Sequence, residues 1–371
     1  MARGRMTRRE FVRDTAVAAV AVTAAAGMPP GAPKAVAAEA DTSKIVNYNP
    51  NMEYRRCGKT NLMVSAVALG GHCKQVAKVL PPGINTKGIW GVHIDEPSFQ
   101  QNRLDVVSRL IDVGMNWIDA CTIEEVKAHN RALKGRRDKM YLACSWYEKE
   151  MRNPAGRTAK ALLDVLDWGM KDAALDYCDL WRIVMHEQSQ NHSNAEVDEM
   201  MKALETAKKQ GKTRFIGLSS HSRPHIQWMI ETYSNVLDVI VTPYTAKTKE
   251  APKDSLFAAI KKHDMGFFGI KPFASGSLFK AGGAPAGPDA EEDDRRARLA
   301  IRHILCNPVI TAPIPGMITA HQVDNVALAV KESKEKKELT RAEFHELQAA
   351  MDTAWASLPH DYQWLKDWEH V

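Results

Sequence analysis

Beyond residue 50, short apolar runs alternate with longer segments whose apolar positions recur at i, i+3 and i+4, so the chain reads as strand, helix, strand, helix along most of its length. The pattern is sharpest over 116–145. Asn116-Trp117-Ile118 is an apolar run that stops at Asp119, residues 124–133 carry helical spacing, and 140–145 is a second apolar run. Together they form one βαβ unit with an ionisable side chain where its first strand ends. The same alternation predicts strands over 64–70, 179–185, 214–218, 237–241, 266–270 and 309–314. It predicts helices over 100–113, 157–175, 195–210, 224–233, 253–263, 294–305 and 319–333. Gly114 and Gly211 follow helices as C-caps, and Asn194 precedes one as an N-cap. Eight βα units without a composition break predict an α/β fold, a single (β/α)8 TIM barrel. In such a barrel chemistry sits at the carboxyl ends of the strands, which singles out Asp119, His186 after the strand over 179–185, and Ser219-Ser220-His221 after 214–218.

Several stretches lie outside the regular alternation. Residues 52–56 and 62–64 flank Gly58-Lys59-Thr60-Asn61 and predict a hairpin ahead of the first barrel strand. An insertion over 74–97, containing Pro81-Pro82-Gly83 and Trp90, separates that strand from its helix. A loop of that length over a strand's carboxyl end is a lid or carries function. Residues 281–293 predict a second flexible loop on the same face, able like the first to act as a lid. A helix over 340–358 extends beyond the barrel, and periodicity gives the aromatic segment 355–368 no place.

Composition narrows the class. The 371 residues are 44% apolar and 26% charged, enough for a large core and unlike a disordered chain. The net charge of +5 is spread out, without the basic runs of a nucleic-acid footprint. Cysteines 57, 73, 121, 144, 178 and 306 form no CxxC pair, and several fall inside apolar runs, which predicts buried free thiols. The N-terminus is different. Thr7-Arg8-Arg9-Glu10-Phe11 precedes an alanine-rich run over 16–27 that is too short to span a bilayer, and small-x-small sites follow at 35–37 and 38–40. This is similar to a bacterial twin-arginine (Tat) export signal. The similarity implies a signal peptide over 1–40, a linker over 41–51 and a barrel over 52–371. It also implies passage through the Tat translocase to the periplasm or beyond, already folded and often with a cofactor inside, and no stable membrane anchor.

Seven segments in order, MEYRRCGKTNLMVSAVALGG, GMNWIDA, ALKGRRDKMYLA, LDYCDLW, GKTRFIGLSSH, GIKPFASG and NPVITAPIPGM, resemble the landmarks of the aldo-keto reductases across 52–330. The resemblance implies a barrel closed at its bottom by the initial hairpin, NADP(H)-dependent carbonyl reduction, and a tetrad of Asp, Tyr, Lys and His. Asp119 matches the aspartate, and His186 matches the histidine once two extra residues are allowed in the fourth strand. The tyrosine's position holds Glu124 and the lysine's holds Ser145. In the family the tyrosine gives a proton to the developing alkoxide, and its phenol is acidified by the lysine that the aspartate holds. Glu124 is therefore a candidate replacement acid if burial raises its pKa, and His186 a candidate to orient the carbonyl or supply the proton. Tyr147 and Lys149 offer a shifted pair.

For the cofactor, the resemblance implies Ser219 and Ser220 near the nicotinamide amide, with Lys271 of GIKPFASG among the contacts. It implies Pro315, Gly316 and Thr319, ahead of a helix N-terminus, at the phosphates, and Gln322 and Asn325 at the adenine. Val241 stands where a glutamine would reach the amide, and Met317-Ile318-Thr319-Ala320 lacks the basic residue that would hold a 2′-phosphate, so both NADP and NAD stay open. Three readings follow: an exported reductase with an altered site; a barrel that has lost hydride transfer and binds or isomerises a sugar-like ligand; and a divalent-metal barrel using His72, Asp119, Glu124, His186 and His221.

Overall fold

The computed structural model describes residues 41–368 except 72, 74, 85–92, 186, 187, 251–254, 284 and 285. The export signal, His72 and His186 lie outside the described residues. Strands β1 (Tyr54–Arg56) and β2 (Met63–Ser65) pair antiparallel, joined through a 3-10 turn at Gly58–Thr60. Seven parallel strands follow in sequential order: β3 (Trp117–Ala120), β4 (Tyr141–Cys144), β5 (Cys178–Val184), β6 (Thr213–Ser219), β7 (Val239–Pro243), β8 (Gly266–Ile270) and β9 (Ala312–Ile314).

The eighth barrel position is filled by residues 68–70. Leu69 bridges Ile118 of β3, and Gly70 bridges Gly316 just past β9, both parallel. Backbone hydrogen bonds from Ala68 N to Pro313 O (3.0 Å), Leu69 N to Trp117 O (3.0 Å) and Gly70 N to Pro315 O (2.9 Å) close the sheet on itself. The strand expected over 64–70 is thus two pieces. Between them the chain bends because Ser65 is pinned: its N–H donates to Asn116 Oδ1 (2.8 Å) and its hydroxyl to Val67 O (2.7 Å).

The helices α1 (Pro97–Asp112), α2 (Ile123–Ala132), α3 (Ala159–Asp172), α4 (Asn194–Lys209), α5 (Arg223–Tyr233), α6 (Leu256–Lys262), α7 (Ala290–Leu305) and α8 (Ala320–Lys336) alternate with the strands, and α9 (Arg341–Ala356) extends beyond. Their starts follow local chemistry. Pro97 opens α1, where its missing N–H costs nothing, and Thr122 caps α2 by accepting from Glu125 N. The cap of α4 is Ser193 rather than Asn194, in a reciprocal capping box with Glu196. The loop expected over 281–293 ends early, because α7 already begins at Ala290 and the buried Asp293 accepts from Lys280 N and Ala281 N.

Alternation along the strands sorts two cores. Trp117, Tyr141, Ala143, Leu180, Val239, Phe268 and Ala312 fill the barrel interior with Cys57 and Val64 of the hairpin region, and Trp117 stacks on Phe268 at 4.5 Å. Ile118, Leu142, Trp181, Ile216 and Ile240 face outward against the helices. The hairpin turn packs at the amino end of β8, where Lys59 N donates to Asp264 O (2.6 Å), so the bottom of the barrel is plugged and the carboxyl-end mouth is left for chemistry.

The aromatic C-terminal segment returns to that mouth. A 3-10 helix, His360–Trp368, lays Trp364 on the ring of His221 (4.3 Å, 18°) and brings Tyr362 and Trp364 within 5.4 and 5.5 Å of the Lys271 ammonium. Leu365 is buried beside α5 residue Arg223, Pro243 and Trp355. Among the described residues no helix is long and apolar enough to cross a membrane.

Candidate active site at the barrel mouth

Inward positions two residues above the interior core reach the mouth. Asp119 continues the inward row of Trp117 on β3, and Arg182 continues that of Leu180 on β5. Both are buried, and they meet in a two-pronged pair, Arg182 Nε to Asp119 Oδ1 and Nη2 to Oδ2, each 2.5 Å. Burial opposes the charge on Arg182, but the Asp119 carboxylate outweighs it with help from Cys121, so the guanidinium pKa lies above its ordinary value. Gly217, opposite Arg182 in register, adds no side chain to that layer. The cation expected at Ser145 therefore arrives from the next strand. One signal for Arg182 lies in the sequence itself: an arginine flanked on both sides by apolar residues, Leu180-Trp181 and Ile183-Val184, inside a strand.

Ser145 itself is a support. Its hydroxyl donates to Glu150 Oε2 (2.6 Å), and the fully buried Glu150 carboxylate also accepts from Trp146 N, Trp181 Nε1 and Val184 N. Burial raises the Glu150 pKa against the pull of these donors.

Two carboxyls stand between the ends of β3 and β4. Glu124 lies in the first turn of α2, and one of its carboxyl oxygens is buried without a hydrogen-bond partner among the described residues. Glu148, in the loop after β4, accepts from Ile123 N (3.3 Å) through Oε1, while its Oε2 is likewise buried and unpartnered. Burial, helped by the neighbouring Glu124 and Glu150 charges, pushes the Glu148 pKa up to about 7. Tyr147, bonded through its N–H to Cys121 O (3.3 Å), has its phenol pKa raised by burial and then by Glu148.

The residues expected at the cofactor fall into two groups. Ser219 is buried at the end of β6 on the inward row, whereas the Ser220 hydroxyl is held 2.6 Å from Ser189 Oγ, which lies 2.9 Å from His225 Nδ1. Lys271, at φ 60°, sits under the tail aromatics. At the other end, Gly316, Gln322 and Asn325 line a small, partly open pocket with Phe273, Phe279, Asp293 and Asp294. Thr319 caps α8 by accepting from Gln322 N (3.2 Å). Gln322 donates to Gly283 O, and Asn325 to Asp294 O. Gly71, at φ 93°, approaches Gly316 so closely that a Cβ on it would strike the Gly316 backbone, and this juncture keeps the pocket floor free of side chains.

A glycine floor and a helix N-terminus fit the phosphates of a dinucleotide. The same pocket does not fit a 2′-phosphate: among the described residues its lining has no lysine or arginine and has two aspartates, and nearby Arg298 is engaged by Asn325 and Glu332.

The barrel and its mouth define an α/β enzyme scaffold, and a family model described as "Aldo/keto reductase family" matches residues 86–347. The chain belongs to the aldo/keto reductase family. It is 24% identical over 306 residues to L-galactose dehydrogenase of Arabidopsis thaliana, covering 76% of this chain and 89% of that one. It is 27% identical over 148 residues to the methylglyoxal reductase DkgA of Yersinia pestis, covering 39% of this chain and 47% of that one. An aldo-keto reductase from Bacillus halodurans in its holo form has the same fold, with a TM-score of 0.57, 20% identity, and coverage of 84% and 99% of the two chains.

Proposed function

We propose that this protein is an exported aldo-keto reductase that reduces a small, hydroxylated carbonyl compound, with the Glu148 carboxyl as proton donor where a tyrosine is missing. The observation that carries the reading is the raised pKa of Glu148, about 7, at the two strand ends that also hold Asp119 and Glu124. A general acid works best with a pKa near the working pH, and a carboxyl reaches that range only when burial and a like charge disfavour its ionised form. The nicotinamide dinucleotide implied by the family supplies the hydride to the carbonyl carbon when bound. The Asp119–Arg182 pair holds a fixed cation beside the reacting oxygen and stabilises charge developing there. Glu148 releases its proton to that oxygen, and Glu124 keeps the proton available by opposing a second negative charge. His186, outside the described residues, keeps the role of orienting the carbonyl. The aspartate-lined pocket favours NAD over NADP, since a ribose hydroxyl can donate to a carboxylate that would repel a phosphate. A sugar-like substrate is supported by the name of the L-galactose dehydrogenase to which the chain is similar.

Purified protein should reduce members of a panel of small aldoses and α-dicarbonyls with NADH, and Glu148→Gln should cost about 10²–10⁴-fold in rate. Full activity in that variant would move the proton donor elsewhere, with His186→Ala as the next variant to assay. If no nicotinamide nucleotide binds at millimolar concentration, the redox reading fails and a ligand-binding barrel replaces it. Export is supported by Arg8-Arg9 and the small-residue sites after them, and Arg8→Lys with Arg9→Lys should leave the chain in the cytoplasm on fractionation.

A further inference from the structure

We infer that Cys73, Glu125 and His129 form a binding site for a thiophilic divalent ion of the zinc class. One sulfur, one carboxylate oxygen and one ring nitrogen lie within 4.8 Å of one another, the spacing of donors around a single ion. Glu125 and His129 stand four residues apart on α2, so they share one face a turn apart. Cys73 comes from the turn just past the strand that closes the barrel. Its backbone sits at φ 52°, a left-handed conformation that side chains other than glycine seldom adopt and that is retained where the surroundings demand it.

A second, independent observation comes from His129. Its side chain is fully buried, and neither ring nitrogen has a hydrogen-bond partner among the described residues. Buried imidazoles are ordinarily satisfied on at least one side, and a metal ion is the partner that this geometry offers. The ligand shell is also braced. Glu125 Oε2 accepts from Cys121 N (2.9 Å), which orients the carboxylate. Arg103, buried and held by Met317 O, lies beside Glu125 and hydrogen-bonds Cys73, which fixes the sulfur in place. The donor set, with one sulfur and one nitrogen in it, is wrong for magnesium or calcium and right for zinc.

Placed there, the ion would tie the root of the insertion to α2. Cys73 packs with Val76, Ile94, Phe99 and Ala128, so the tether stands at the rim of the mouth beside the Gly71–Gly316 juncture. The site shares none of its residues with the histidine-rich metal set read from the sequence, and it does not depend on nucleotide binding.

The test uses the full chain, stripped of metal and titrated with Zn²⁺ against a chelating dye, then with Co²⁺ followed by absorption. Expected are one ion per chain and a thiolate-to-cobalt charge-transfer band that Cys73→Ser abolishes and Cys306→Ser, at an exposed cysteine, leaves intact. His129→Ala should weaken Zn²⁺ binding by at least the roughly 10–100-fold that loss of an outer-shell partner costs. If a variant does not fold, the wild-type cobalt spectrum decides alone. A stripped wild-type chain that takes up neither ion, or binds Co²⁺ without a thiolate band, overturns the site.

Discussion

At the level of single residues the mouth is governed by how burial treats charge. Asp119 and Arg182 are both out of water, and each makes the other tolerable through two parallel hydrogen bonds. Removing one partner leaves an uncompensated buried charge, so Arg182→Met should destabilise the fold by about 3–5 kcal/mol in urea unfolding. Pairing that change with Asp119→Asn should recover part of the loss; an unchanged midpoint for the single variant would show the pair to be dispensable. Glu148 is the opposite case, a half-buried carboxyl with no ion-pair partner among the described residues. Its folded pKa of about 7 exceeds the ordinary carboxyl value of 4.5, so the folded state holds the proton more tightly than the unfolded one. The stability it contributes is complete below the unfolded value and is lost as pH rises through about 7. Glu148→Gln should accordingly raise the Tm at pH 8 relative to wild type and leave it near wild type at pH 4. In the wild-type enzyme, reduction should slow as pH rises through the same range, and a flat profile would separate Glu148 from the proton transfer.

At the level of elements, helix α3 shows packing overriding propensity. Gly169 sits in its interior, where alanine would ordinarily stabilise a helix by about 1 kcal/mol. A Cβ there would run into the indole of Trp146, a fully buried residue whose backbone N–H donates to Glu150. Gly169→Ala should therefore destabilise by roughly 1–3 kcal/mol, the usual cost of overpacking, and thermal melts would show the sign at once. Because Trp146 and Ser145 both hold Glu150, the variant should also disturb the strand end that carries Glu148.

For the whole molecule, the C-terminal tail decides how the mouth communicates with solvent. The barrel closes through 68–70, the bottom is plugged by the hairpin turn, and the top is partly covered by Trp364 and Tyr362 over His221 and Lys271. Helix α9 is anchored independently, through Arg302 to Glu343 and Arg295 to Glu346, so ending the chain at Leu358 removes the cover without the anchor. That truncation, or Trp364→Ala, should raise both association and dissociation rates of a nicotinamide nucleotide in stopped-flow fluorescence while the melting curve stays cooperative. Unchanged rates in both variants would mean that the tail is only packing.

The sequence by itself determined the architecture and part of the site. Period-two and period-3.6 patterns are properties of neighbouring residues, so they specified the strands, the helices and their order, and order alone implies a barrel whose strand ends hold Asp119 and Ser219. Boundaries moved where a single hydrogen bond decides them, as when Ser193 rather than Asn194 capped α4. What only the tertiary structure decided is everything that depends on closure. Arg182 reaches Asp119 from a position 63 residues later, because two strands of one closed sheet point the same row of side chains inward. The Glu148 pKa depends on how much water the fold excludes and on the Glu124 carboxylate in the first turn of α2. Cys73 meets His129, and the C-terminal aromatics meet Lys271, only because the barrel brings separate strand ends to one rim. Local periodicity carries no information about such meetings, since burial and charge pairing are set by the distances that closing the sheet creates.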